Sequence, residues 1–168
     1  MLMKLAFSTT ACPEWTIAQV AERAEAMGYE GVELRTLGPG STGLASDPAL
    51  SDPEKVRDVF RASAIEPVCL STSTSLHHRN ASAAKAARWQ IMKDLELAAQ
   101  IGCQVIRVFA YEVEPGEDRR SVIQRVAEQV RPLAEKAGEL DVEILFENAG
   151  SFCGAKDWWS LLNLLEHP

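Results

Sequence analysis

Short apolar runs alternate along this chain with longer stretches in which apolar residues recur every three or four positions, a pattern that predicts alternating strand and helix. Residues 4–8 form a first short run, ended by a turn at Cys12-Pro13-Glu14. Ile17, Val20, Ala21, Ala24 and Met27 then share one helical face, and Gly28 stops that helix. Residues 31–36 predict the second strand. Residues 37–52 hold three glycines, Pro48 and several serines, the composition of a long loop. Asp52-Pro53-Glu54 opens the next helix, with a capping side chain and proline at its first position. The third strand is expected at 67–71, followed by a polar loop to Asn80 that carries His77 and His78. A long helix over 81–101 is striped by Ala84, Ala87, Ile91, Leu95 and Ala98 and closed by Gly102. Residues 104–111 predict the fourth strand and 119–137 the fourth helix, with Gly138 as its stop. A fifth strand at 142–147 and a helix at 156–165 follow.

The joints repeat. After Gly28, Gly102 and Gly138, apolar residues fall four and six positions on, at Val32 and Leu34, Ile106 and Val108, Val142 and Ile144. Between them stand Glu33, Arg107 and Glu143. Period-two alternation sets the apolar residues against a layer of helices and the charged ones on the opposite face. A doubly wound sheet is buried on both faces, and its strands read as continuous apolar runs. Charges of both signs on one face suit a closed barrel instead, with a flavodoxin-like open sheet as the structural alternative.

Five βα units are expected where a full barrel has eight in about 250 residues. The fold class is therefore α/β, a partial (β/α)8 barrel forming one domain over 1–168. Leu161, Leu162, Leu164 and Leu165 call for something to cover them, and a five-stranded parallel sheet leaves two open edges. The expectation is a truncated sequence or a second chain that completes it, through a homo-oligomer or a complementing partner.

Charge narrows the partners. The formal net charge is −7 and the pI about 5.0, so the surface repels phosphate backbones and anionic lipid. Nucleic acid and membrane are not expected as partners. The four cysteines, Cys12, Cys69, Cys103 and Cys153, form no C-x-x-C pair and are expected as reduced thiols in a cytoplasmic protein. Neither a signal peptide nor an apolar run of membrane-spanning length is readable.

In βα barrels the reactive groups gather at the carboxyl ends of strands. Glu147 ends the fifth strand with inward parity, where a carboxylate can bind a hard cation or act as a base. Arg35 and Tyr111 also lie at strand ends with inward parity, placed to meet a substrate hydroxyl or phosphate. Adjacent histidines on an extended chain point apart, so at most one of His77 and His78 is expected to face the site. Trp15, just after the first strand, is a candidate apolar wall. Glu33 and Arg107 lie deeper and are expected as an internal ion pair, and Trp158 and Trp159 as helix-sheet packing. No phosphate-cradling glycine loop and no nucleophile elbow occurs.

The stretches Lys-Leu-Ala-Phe-Ser at 4–8, Met-Gly-Tyr-Glu-Gly-Val-Glu-Leu-Arg at 27–35, Ile-Gly-Cys-Gln-Val-Ile-Arg-Val-Phe at 101–109 and Ile-Leu-Phe-Glu-Asn at 144–148 resemble the xylose isomerase-like TIM barrel family. That family includes sugar phosphate isomerases and epimerases and an endonuclease IV branch. The resemblance spans essentially all 168 residues and the N-terminal five-eighths of the family's barrel. It implies a divalent Mn²⁺, Mg²⁺ or Co²⁺ held by a glutamate ending the fifth strand, which Glu147 matches, and by ligands on the sixth to eighth strands, which lie beyond Pro168. It implies a substrate-contacting histidine at His77, a sugar or sugar phosphate as substrate, and chemistry through an enediol or a hydride shift. One carboxylate is too few for a catalytic divalent ion, so the chain alone is expected to be inactive. The alternatives are a non-catalytic half-barrel paired with another chain and, against the acidic charge, an endonuclease IV-like repair enzyme.

Overall fold

Side-chain caps set where the helices begin. In a computed structural model describing residues 3–35, 52–110 and 112–165, helix α1 (Ile17–Ala26) starts at Thr16. The Thr16 hydroxyl accepts from the Gln19 N–H at 3.3 Å, and the Gln19 amide accepts from the Thr16 N–H at 2.9 Å. Helix α2 (Pro53–Arg61) is capped by Asp52, with proline at its first position as expected. Asn80 caps α3 (Ala81–Ile101) through the N–H groups of Ser82 and Ala83, and Gly102 ends it at φ 78°. Asp118 caps α4 (Arg119–Glu139), and bonds from the Ser121 backbone and hydroxyl hold its carboxyl below the usual carboxylate range. Gly138 does not stop α4: the helix runs through it to Glu139, and the left-handed residue is Asp141 at φ 55°. Helix α5 spans Ala155–Leu165.

Between the helices lie β1 (Ala6–Ser8), β2 (Gly31–Arg35), β3 (Glu66–Ser75), β4 (Val105–Phe109) and β5 (Glu143–Glu147). They pair in parallel in the order β1-β2-β3-β4-β5. That order never reverses, unlike the flavodoxin-like alternative. Val32, Leu34, Leu70, Ile106 and Val108 are buried with Val20, Ile91, Leu95, Val126 and Leu133 of the helices. The opposite face, with Glu33, Arg35, Arg107 and Glu147, is less covered. A singly wound parallel sheet with helices on one face is the wall of a (β/α) barrel, here a partial one of five units among the described residues.

Two packing expectations change. Trp158 packs on Phe146 and Phe152 with ring centroids 5.5 and 6.1 Å apart, but Trp159 is 69% exposed because it lies on the outer side of α5. Leu161 is fully buried, whereas Leu162 stays 47% exposed. All four cysteines are free thiols. Among the described residues no helix is long and apolar enough to cross a membrane.

Candidate active site

Parallel register aligns the less covered face into rows. Arg35 stands opposite Ser71, Ser71 opposite Arg107, and Phe109 opposite Glu147 at the carboxyl ends of the strands. Strand β3 is irregular here. Between Ser71, which pairs with Arg107, and Ser75, which pairs with Phe109, it carries three residues against one on β4. Such a bulge re-aims side chains at a barrel rim. The Thr74 N–H bonds the Thr72 hydroxyl at 3.2 Å, and the Thr72 carbonyl accepts from Arg107 Nη1 at 2.7 Å. The third strand thus continues four residues past its expected end at Ser71, and the supposed loop is a hydroxyl-bearing strand terminus.

Arg107 ties this rim together. Its Nε lies 3.0 Å from Glu147 Oε2, its Nη2 donates to Ser71 Oγ, and its guanidinium stacks 4.3 Å from the Phe109 ring centroid. Its side chain is 11% exposed, and burial, then the neighbouring Arg35 charge, lowers its pKa from the ordinary arginine value. The expected Glu33–Arg107 pair is absent: Glu33 accepts from the Ser8 hydroxyl at 2.8 Å, and Arg107 reaches sideways to the next strand. Arg35 donates to Ser71 Oγ at 3.3 Å and Ser73 Oγ at 3.5 Å, and its own N–H bonds Thr9 Oγ1 at 3.0 Å. Cys69, also in this sheet, has its thiol pushed up to about 12, first by burial, which makes it a poor nucleophile.

The structure therefore brings Arg35 and Glu147 together through Ser71 and Arg107. His77 and His78 stand farther along the β3–α3 connection. Their rings lie against each other, tilted by 39° with centroids 4.5 Å apart, so the two side chains do not diverge as expected; they lie past the end of β3. Arg125 Nε donates to the His77 carbonyl at 2.9 Å, and burial lowers the His77 pKa. His78 lines a separate cavity of about 380 Å³ with Arg79, Asn80 and Glu114. Trp15 is half-buried under the Arg23 guanidinium of α1, 4.4 Å from its ring centroid. Tyr111 lies outside the described residues. Ser71 and Ser73 were not expected at the site; the unbroken hydroxyl run Ser71-Thr72-Ser73-Thr74-Ser75 is the signal that marks them.

A metal does not fit the described residues by themselves. Among them no three His, Cys, Asp or Glu side chains converge, and Glu147, the carboxylate at the rim, faces a guanidinium.

Comparison with known proteins adds the fold's relatives. A family model described as xylose isomerase-like TIM barrel matches residues 21–168. No curated protein matches the chain. Among solved structures, IolI with a bound zinc atom superposes with a TM-score of 0.82 at 16% identity, covering 98% of this chain and 60% of that one. The 3-keto-D-glucoside 4-epimerase YcjR from E. coli gives 0.80 at 14%, covering 98% and 65%. A D-allulose 3-epimerase from Methylomonas sp., in complex with D-allulose, gives 0.75 at 15%, covering 99% and 60%. The chain thus spans less than two thirds of the length of these relatives.

Proposed function

The chain belongs to the xylose isomerase-like TIM barrel family, and from that premise we propose that it forms the first five βα units of a sugar or sugar-phosphate isomerase or epimerase. The observation that carries the reading is Glu147 at the carboxyl end of β5, paired with Arg107, which reaches to it from the middle of β4. Catalytic groups of such barrels sit at that end.

In this reading Glu147 is the base. Its carboxylate takes the proton from the carbon beside the sugar carbonyl, and the C–H electron pair moves into the carbonyl to give an enediolate. Returning the proton to the neighbouring carbon isomerises the sugar; returning it to the opposite face of the same carbon, from an acid elsewhere, epimerises it. Arg107 acts as a positioning residue, since its bonds to Thr72 and Ser71 fix the edge it presents to Glu147. The Ser71 and Ser73 hydroxyls and Arg35 are placed to meet substrate oxygens, and His77 and Tyr111 are further candidates for contact.

The cofactor expected for such a barrel is divalent Mn²⁺, Mg²⁺ or Co²⁺, and the zinc bound to IolI supports a metal in the fold. Glu147 supplies one ligand, so this chain alone is expected neither to hold the ion nor to turn over. The test is a chromatographic assay on a panel of aldoses, ketoses and their phosphates with each metal. The chain is assayed alone and joined to three further βα units that close the barrel. The expected result is turnover in the closed barrel only, cut by about 100-fold or more in Glu147→Gln. A closed, folded barrel inactive on every sugar and metal would sink the reading.

A second reading, a non-catalytic half-barrel that pairs with another chain, is favoured by one feature. A groove of about 490 Å³ runs along β5, lined by Val130, Ala134, Leu145, Phe146, Leu162 and Leu165 among others. Stoichiometric capture of a second chain by an inactive complex would support that reading over the first.

A further inference from the structure

Arg35 and Arg107 converge on one oxygen, each donating to the Ser71 hydroxyl. Two guanidinium groups this close repel unless anions balance them. Arg107 has Glu147 at 3.0 Å. Among the described residues Arg35 has no such partner: no carboxylate of theirs comes within ion-pair distance of it, and of their groups the hydroxyls of Ser71 and Ser73 hold its side chain. Glu33, on the same strand, is turned to Ser8. In a chain of net charge −7, Arg35 is thus a cation with no carboxylate in ion-pair contact among the described residues.

Space accompanies the charge. A cavity of about 280 Å³ is lined by Arg35, Ser73, Ser75 and Phe109. The bulge in β3 makes this possible, because a regular strand would pair the residue two beyond Ser71 with Phe109, whereas here Ser75 does so and Ser73 is set free. A planar guanidinium fork with serine hydroxyls at its side suits a carboxylate or phosphate oxygen pair.

We propose that the substrate carries an anionic group, a carboxylate or a phosphate, and that Arg35 seats it with the hydroxyls of Ser73 and Ser75. The role rests on the isomerase or epimerase reading for what enters the site, but the anion is held by this chain's own residues whether or not turnover occurs. Arg107 then serves Glu147, and Arg35 selects acidic substrates over neutral ones.

Calorimetric titration of the whole chain at low ionic strength tests this, with inorganic phosphate, glycolate and neutral glycerol as probes. At least one anion is expected to bind and glycerol not to. Arg35→Gln should weaken the anion by about tenfold or more, and Ser73→Ala by less. Lys85→Gln, on the exposed side of α3, should leave it unchanged. Preference for phosphate over glycolate, or the reverse, identifies which group the substrate bears. Binding of neither anion, or unchanged affinity in a folded Arg35→Gln, overturns the proposal. If Arg35→Gln does not fold, Arg35→Lys keeps the charge and loses the fork; a several-fold loss is expected, and unchanged affinity counts against it. Because binding is read without turnover, anion binding with no activity faults the isomerase reading alone. Activity on neutral sugars with no anion binding faults this one alone.

Discussion

Arg107 meets a carboxylate, a carbonyl, a hydroxyl and an aromatic face at once, and that crowding explains why the inward charges do not pair as their depth suggests. Parity told which face Glu33, Arg35, Arg107 and Glu147 occupy, and Arg35 and Glu147 do lie at the rim. It could not tell which carboxylate Arg107 takes, because a long side chain reaches across strands as readily as along one. A different buried charge has no such support. Asp94 on α3 is 4% exposed; Gln90 donates to its Oδ1 at 3.0 Å, and its Oδ2 has no partner. Burial raises its pKa from 3.8 to about 6. Below about pH 4 the carboxyl is protonated folded and unfolded alike, so it adds no pH-dependent cost. Between about pH 4 and pH 6 the unfolded carboxyl has lost its proton while the folded one keeps it, so stability falls as pH rises across that window, by on the order of 3 kcal/mol in all, and levels off above about pH 6. Asp94→Asn is therefore expected to stabilise the chain at neutral pH, with the gain fading toward about pH 4; urea melts across that range measure it. A gain independent of pH would contradict the assignment.

At the scale of elements, helix caps and apolar stripes were readable, and α3 begins and ends where its pattern does. Strand β3 was not, because alternation carries no sign of a bulge and a run of serines and threonines reads as loop as well as strand. A second irregularity in β3, opposite the step from Val32 to Glu33, turns Val68 toward Gly31. A Cβ built on Gly31 would meet Val68 Cγ1 at 2.5 Å. Gly31→Ala should thus cost about 1–3 kcal/mol, and adding Val68→Ala should recover most of it. A double-mutant cycle by chemical denaturation checks the coupling, and additive losses would show that the two sites do not touch.

Across the whole molecule, the less covered sheet face and its unpaired edges matter most. Val68 is 40% and Leu145 48% exposed, and β5 pairs only with β4 among the described strands. Such an edge templates further pairing. Sedimentation velocity should show self-association rising with concentration toward about 100 µM, reduced by Leu145→Lys. A monodisperse monomer throughout would contradict this.

The chemistry itself is tested most directly by proton exchange. In the closed barrel in D₂O with Mn²⁺, ¹H NMR would follow deuterium entering the carbon beside the carbonyl of an acidic sugar or sugar phosphate. Wash-in that Glu147→Gln abolishes is the expected result. Turnover without wash-in, or wash-in that survives Glu147→Gln, would contradict Glu147 as the base.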